Sequence, residues 1–180
     1  MKRFIPLIAL LICAVCVPLA GAATPVKIMP LGDSLTSGYS VPTYLSGYRD
    51  RLYSQLIDAG YAPDFVGTQV DTQNLALPDP NHEGHGGYRI DQIASEASGW
   101  LASVADPDVI LLIIGTNDFT QDNNPAGAPD RLANLITQIS SLRPNAKIFL
   151  GNLPVRSTPF SPPPVWPPAL STAFTQKANS

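Results

Sequence analysis

Cysteine is scarce: the chain has two, Cys13 and Cys16, and both lie in an apolar stretch close to the start. Without that stretch no disulfide is possible. Stability then rests on a buried core, which a single domain of this length can form. Histidine is equally scarce, limited to His82 and His85. Two histidines three positions apart, with no cysteine near them, do not complete a zinc ligand set. Basic charge is also low, with 11 Lys and Arg against 14 Asp and Glu. Such a balance offers no electrostatic footprint for nucleic acid.

No apolar run reaches the ~20 residues that a membrane-spanning helix needs. The run from Phe4 to Leu19 is shorter and contains Pro6 and Pro18. It follows the basic start Met1-Lys2-Arg3 and precedes the small residues Ala20-Gly21-Ala22-Ala23. This is the layout of a secretory signal peptide over residues 1–23. The expectation is cleavage near Ala22 or Ala23, a secreted product and no stable membrane anchoring. Loss of Lys2 and Arg3 leaves nine basic residues against fourteen acidic ones, a net charge of −5.

What remains alternates between strand and helix patterns. Val26 to Leu31 reads as a buried strand ending at Gly32. Tyr48, Leu52, Tyr53, Leu56 and Ile57 suit one side of a helix over Tyr48 to Ala59, stopped by Gly60. Phe65 and Val66 suggest a second strand, and Gln69 to Asn81 a loop. Arg89 and Ile90 open another helix, with Ile93, Ala94, Ala97, Trp100 and Leu101 inward. Asp108 to Ile114 is a continuous apolar run, as in a parallel strand covered on both faces. Gly115 to Ala128 reads as a loop, with Asp130 as the N-cap of a helix whose stripe is Leu132, Leu135, Ile136, Ile139 and Leu142. Ala146 to Leu150 is a further strand. The pattern predicts an α/β sandwich with a parallel sheet, which places ligands at the carboxyl ends of strands. Prolines crowd the segment 156–180, which reads as a tail, so the domain is expected over 24–155.

Three short segments carry chemistry, the first and third directly after predicted strands. Gly32-Asp33-Ser34-Leu35 comes straight after the first strand. A serine there projects from the sheet edge, and its N–H can face a developing oxyanion. Gly32 permits the tight exit, and Asp33 suits holding the loop by accepting backbone N–H bonds. Alone, the tetrapeptide also fits a strand-ending turn. The second segment, His82-Glu83-Gly84-His85-Gly86-Gly87-Tyr88-Arg89, is a glycine-rich loop before a helix, where unpaired N–H groups suit an anion. Its two histidines invite a metal reading, but no further ligand completes one. The third, Gly115-Thr116-Asn117-Asp118, places an amide donor after the strongest strand, although an Asn-Asp turn is common there.

Together these segments resemble the SGNH hydrolase superfamily, the GDSL esterases and lipases, over roughly Val26 to Leu153. The spelling from His82 to Ile93 is similar to the secreted branch near carbohydrate esterase family three, which includes acetylxylan esterases. The resemblance implies Ser34 as nucleophile, with Gly87 and Asn117 as oxyanion donors. It also implies a three-layer α/β sandwich with a flavodoxin-like sheet, a metal-free mechanism and no non-protein cofactor. The substrate implied is a small ester or an acetylated polysaccharide, with a lipase-like short-chain esterase still open. The alternative hydrolase fold needs Gly-x-Ser-x-Gly, but Thr36 occupies the place of its second glycine.

The superfamily draws its base from an Asp-x-x-His motif near its C-terminus, and no such motif occurs here. Serine is a weak nucleophile without a base. Three readings stay open: an incomplete sequence that lacks the C-terminal strand and helix, an enzyme in which His85 or His82 serves as base, and a non-catalytic carbohydrate-binding remnant. The first fits the proline-crowded tail, and it would leave the strand at Ala146 to Leu150 as an apolar edge prone to aggregation.

Overall fold

The continuous run Val109-Ile110-Leu111-Leu112-Ile113 forms strand β5 (Val109–Ile113). It lies between β1 (Val26–Gly32) and β6 (Lys147–Leu150), parallel to both. The computed structural model describes residues 24–38, 46–72, 74 and 76–153. The expected signal peptide and proline-rich tail lie outside the described residues. The sheet is completed by β2 (Pro63–Phe65), β3 (Gln69–Val70) and β4 (Asn81–Gly84), with main order β3-β4-β1-β5-β6 and β2 paired to β1. All pairs are parallel except β3 with β4. The predicted α/β architecture with a mostly parallel sheet is therefore present.

Pro30 lies in the middle of this sheet, where a missing N–H normally costs a ladder bond. The strand pairing removes the conflict. The carbonyls of Ile28 and Gly32 accept from Val66 and His85, on the edge of β1 that meets β2 and β4. By alternation, the backbone of Pro30 faces that same edge. There β2 pairs only with Val26 to Ile28, and β4 only with Leu31 and Gly32. The proline falls in the gap between the two partners.

The helices are α1 (Ser34–Ser37), α2 (Arg49–Asp58), α3 (Ile90–Ser103), α4 (Thr116–Thr120) and α5 (Ala128–Leu142). Ile93, Ala97 and Leu101 of α3 and Leu132, Leu135 and Ile139 of α5 join Met29, Leu31, Ile110 and Leu112 in one core. Each of the larger side chains, Leu, Ile and Met, contributes about 1.5–3 kcal/mol on burial.

Several expected elements differ. The segment expected as a loop from Gln69 to Asn81 begins with β3. His82, Glu83 and Gly84 belong to strand β4, not to a loop. Polar residues form a strand here because β4 joins β1 along its backbone, and Gly84 packs against α1 so closely that a Cβ would lie 2.3 Å from the Ser37 nitrogen. The region Gly115 to Ala128 holds α4 and a 3-10 turn, Pro125–Gly127. Asp130 is not an N-cap. Helix α5 starts earlier, capped by Gly127, and Asp130 lies in its first turn, where a negative charge meets the positive end of the helix dipole. In α2, Ile57 is exposed, and the fully buried side chain is Arg49.

Candidate active site

Strand register places the three sequence segments together. Gly32 is level with Gly84 of β4 on one side and Ile113 of β5 on the other. All three strands run the same way, so Ser34, Gly87 and Asn117 each follow within four residues of one common level at the carboxyl edge. A Cβ on Gly32 would lie 2.0 Å from the Ile113 carbonyl oxygen, so only glycine allows β1 to leave the sheet there.

Ser34 opens α1. Asp33 caps the helix, its Oδ1 accepting from the Leu35 N–H at 2.9 Å and its carbonyl from Thr36 and Ser37 at 3.0 Å. The Ser34 N–H is one of the first helical donors, which have no intrahelical acceptor. Arg49 braces the other end of this turn. Its guanidinium donates to the carbonyls of Thr36 at 2.9 Å and Ser37 at 3.2 Å and pairs with Asp71 at 2.9 Å. Burial lowers the pKa of Arg49, and the Asp71 carboxylate opposes that shift.

Next to Ser34 in sequence, Asp33 is wholly buried, and its Oδ2 has no hydrogen-bond partner among the described residues. Burial raises its carboxyl from 3.8 to about 6, against the pull of the Leu35 N–H and with a smaller push from Asp118. Among the described residues the buried Thr116 hydroxyl also has no partner, and those of Thr36 and Tyr48 have none beyond each other.

The second segment turns sharply at the sheet edge. The His85 N–H donates to the Gly32 carbonyl at 2.8 Å, and the Tyr88 N–H returns to the His85 carbonyl. Gly87 sits third in this turn at φ +81°, a position that favours glycine. Side chains of α4 and of Gln121 just after it then hold the turn. Asn117 Nδ2 donates to the Tyr88 carbonyl at 2.8 Å and Gln121 Nε2 to the Gly87 carbonyl at 2.8 Å, while Asp118 Oδ2 accepts from the Ile90 N–H at 3.0 Å. An amide NH₂ carries two hydrogens, so Asn117 keeps one donor beyond its bond to Tyr88.

Neither histidine hydrogen-bonds Ser34. His82 is buried in β4, and its Nδ1 accepts from the Gly84 N–H at 3.0 Å. Burial lowers its pKa to about 4, helped by the nearby Arg49 charge. His85 Nε2 lies 2.6 Å from the buried Glu83 carboxylate, and its ring stacks on Trp100 with centroids 4.1 Å apart. Among the described residues, no group of three or more His, Cys, Asp or Glu is arranged to hold a metal. Arg49, Gln121 and Arg131 give no signal in the sequence, and Trp100 gives one only as an inward residue of its helix. Arg49 resembles any surface charge of an amphipathic helix, and Arg131 lies outside every motif.

The profile of the GDSL-like Lipase/Acylhydrolase family matches residues 31–179. A multidomain esterase of Ruminococcus flavefaciens is 34% identical over 158 residues, covering 76% of this chain and 20% of that protein. The chain thus spans about a fifth of the length of that relative. A family 3 carbohydrate esterase of Clostridium thermocellum superposes with a TM-score of 0.67 at 39% identity, covering 87% of this chain and 74% of that one. An acetyl esterase mutant solved with acetate ion superposes at 0.58 with 27% identity, covering 69% of this chain and 60% of that one.

Proposed function

The chain belongs to the GDSL-like lipase/acylhydrolase family, and from that premise we propose that it is a secreted serine ester hydrolase that removes acetyl groups from carbohydrate. The observation that supports this reading is the common level of Gly32, Gly84 and Ile113, after which Ser34, Gly87 and Asn117 each follow within four residues. In this reading Ser34 Oγ attacks the ester carbonyl carbon. The N–H groups of Ser34 and Gly87 and the spare amide hydrogen of Asn117 receive the oxyanion. The C–O bond to the alcohol breaks as the proton from the Ser34 hydroxyl passes to the departing alkoxide, and water then cleaves the acetyl–Ser34 ester, releasing acetic acid and restoring the hydroxyl. The likeness to a family 3 carbohydrate esterase and an acetyl esterase supports the substrate class.

The test is acetate release from acetylated xylan and from p-nitrophenyl acetate, compared with p-nitrophenyl octanoate. Turnover of the acetyl substrates that vanishes in Ser34→Ala supports the reading. Faster turnover of the octanoate ester refutes the acetyl preference. A second reading, a carbohydrate-binding protein without turnover, is favoured by one observation: the His85 Nε2 and His82 Nδ1 atoms are engaged by Glu83 and the Gly84 N–H. It predicts that acetylated xylan binds the chain and its Ser34→Ala variant equally, with no acetate released.

A further inference from the structure

One guanidinium lies behind the turn that carries Gly87. Arg131, in the first half of α5, donates through Nη2 to Asp118 Oδ1 at 2.8 Å and to the Asn123 carbonyl at 2.7 Å, and through Nη1 to the Asn124 carbonyl at 3.2 Å. The Asp118 carboxylate is wholly buried, and the arginine side chain is 22% exposed. Each contact leads toward the site. Asp118 uses its second oxygen on the Ile90 N–H, which fixes the start of α3 directly after the Gly87 turn. It also neighbours Asn117 in α4. The Asn123 and Asn124 carbonyls belong to a tight segment in which Asp122 and Asn124 take φ of +51° and +44°, uncommon for residues other than glycine. At its head is Gln121, which grips the Gly87 carbonyl.

We propose that Arg131 and Asp118 form a positioning clamp that sets the Gly87 N–H and the Asn117 amide relative to Ser34. Neither residue touches the substrate. A buried carboxylate that loses its arginine becomes an uncompensated charge, and the turn it anchors loses its reference point. Small displacements of such donors act on the transition state more than on substrate binding. The inference rests on the oxyanion role proposed above, so its test needs one readout that does not depend on turnover.

The variants are Asp118→Asn, which keeps an acceptor for Ile90 but removes the charge, and Arg131→Lys, which keeps the charge but loses the fork. In the full chain, hydrogen exchange at 86–90 should accelerate by about tenfold or more in both variants, while β5 and the second half of α5 exchange as before. Unchanged exchange at 86–90 overturns the clamp, and so does an equal rise across β5 and α5, because the pair would then be merely structural. If Asp118→Asn does not fold, Arg131→Lys decides by the same measure. On p-nitrophenyl acetate, kcat per active site should fall by about tenfold to a hundredfold, with KM changed less than about threefold. In an Asn117→Ala background Asp118→Asn should cost less than it does in the unaltered chain, since one of the two donors it positions is gone. Additive losses overturn the proposal. Absence of turnover in the unaltered chain refutes the esterase reading alone and leaves the exchange result to decide the clamp.

Discussion

The two flanks of the site are built on different principles. The flank proposed to receive the oxyanion, from His85 to Ile90 with α4 behind it, is tied by side-chain hydrogen bonds from Asn117, Gln121 and Asp118. The flank proposed to carry the nucleophile, β1 into α1, is held by backbone pairing and one buried arginine. On this flank, among the described residues, Asp33 Oδ2 has no hydrogen-bond partner and the buried Thr36 and Tyr48 hydroxyls have none beyond each other. A satisfied network specifies geometry, whereas unpartnered buried groups cost stability. The contrast assigns alignment to one flank and stored cost to the other.

The largest expected effect tests the arginine of the nucleophile flank. Arg49→Met should destabilise the chain by about 3–5 kcal/mol, because it strips the braces from Thr36 and Ser37 and leaves Asp71 without its buried counter-charge. Urea unfolding checks this, and a loss below about 1 kcal/mol would show that backbone pairing alone holds α1. On the other flank, Asn117→Ala should lower turnover by about 10²–10³, equivalent to about 2.7–4 kcal/mol, with a far smaller change in melting temperature. A matching collapse of stability would erase the contrast.

Asp33 gives the next effect, and it depends on pH. Its carboxyl titrates near 6 in the folded chain against 3.8 otherwise. Between those values the unfolded chain binds fewer protons, so this group costs stability as pH rises and its full penalty is present above about pH 6. Asp33→Asn keeps an acceptor for the Leu35 N–H, and should stabilise the chain by about 2–3 kcal/mol at pH 8 and hardly at all near pH 3. His82 works in the opposite sense. Its value falls from 6.5 to about 4, so stability is lost as pH falls through that window. The two slopes offset each other in the native chain. In Asp33→Asn the His82 slope should stand alone, visible as a melting temperature that drops between pH 6.5 and 4; a flat profile would contradict this. The smallest effect belongs to Gln121→Ala, which removes one exposed hydrogen bond to the Gly87 carbonyl. It should cost about 0.5–1.5 kcal/mol, read as a modest loss of turnover.

Residues whose neighbours in sequence share their environment were legible. The apolar run of β5 and the stripe of α5 report burial directly through periodicity, and both elements occur where that pattern places them. Strand β4 was not legible, because Asn81-His82-Glu83-Gly84 has neither alternation nor β-branched residues. It is a strand through its pairing with β1, a contact across some fifty residues of chain. Arg49 was hidden for a related reason. A helix wheel counts charge as solvent-facing, yet this guanidinium is buried because α1 and Asp71 supply its partners. The motif residues themselves were visible, but the groups that brace them, Gln121 and Arg131, carry no local signature.

Consider once more the handover along β1, where β2 ends and β4 begins around Pro30. A strand whose two halves bind different neighbours is a seam between two building units. On its opposite edge β1 pairs with β5 without a break from Ile28 to Gly32, so the seam is stitched from one side only. For protein engineering, this marks the β2 side as the place to alter the sheet while the pairing of Gly32 with Gly84 and Ile113 is kept.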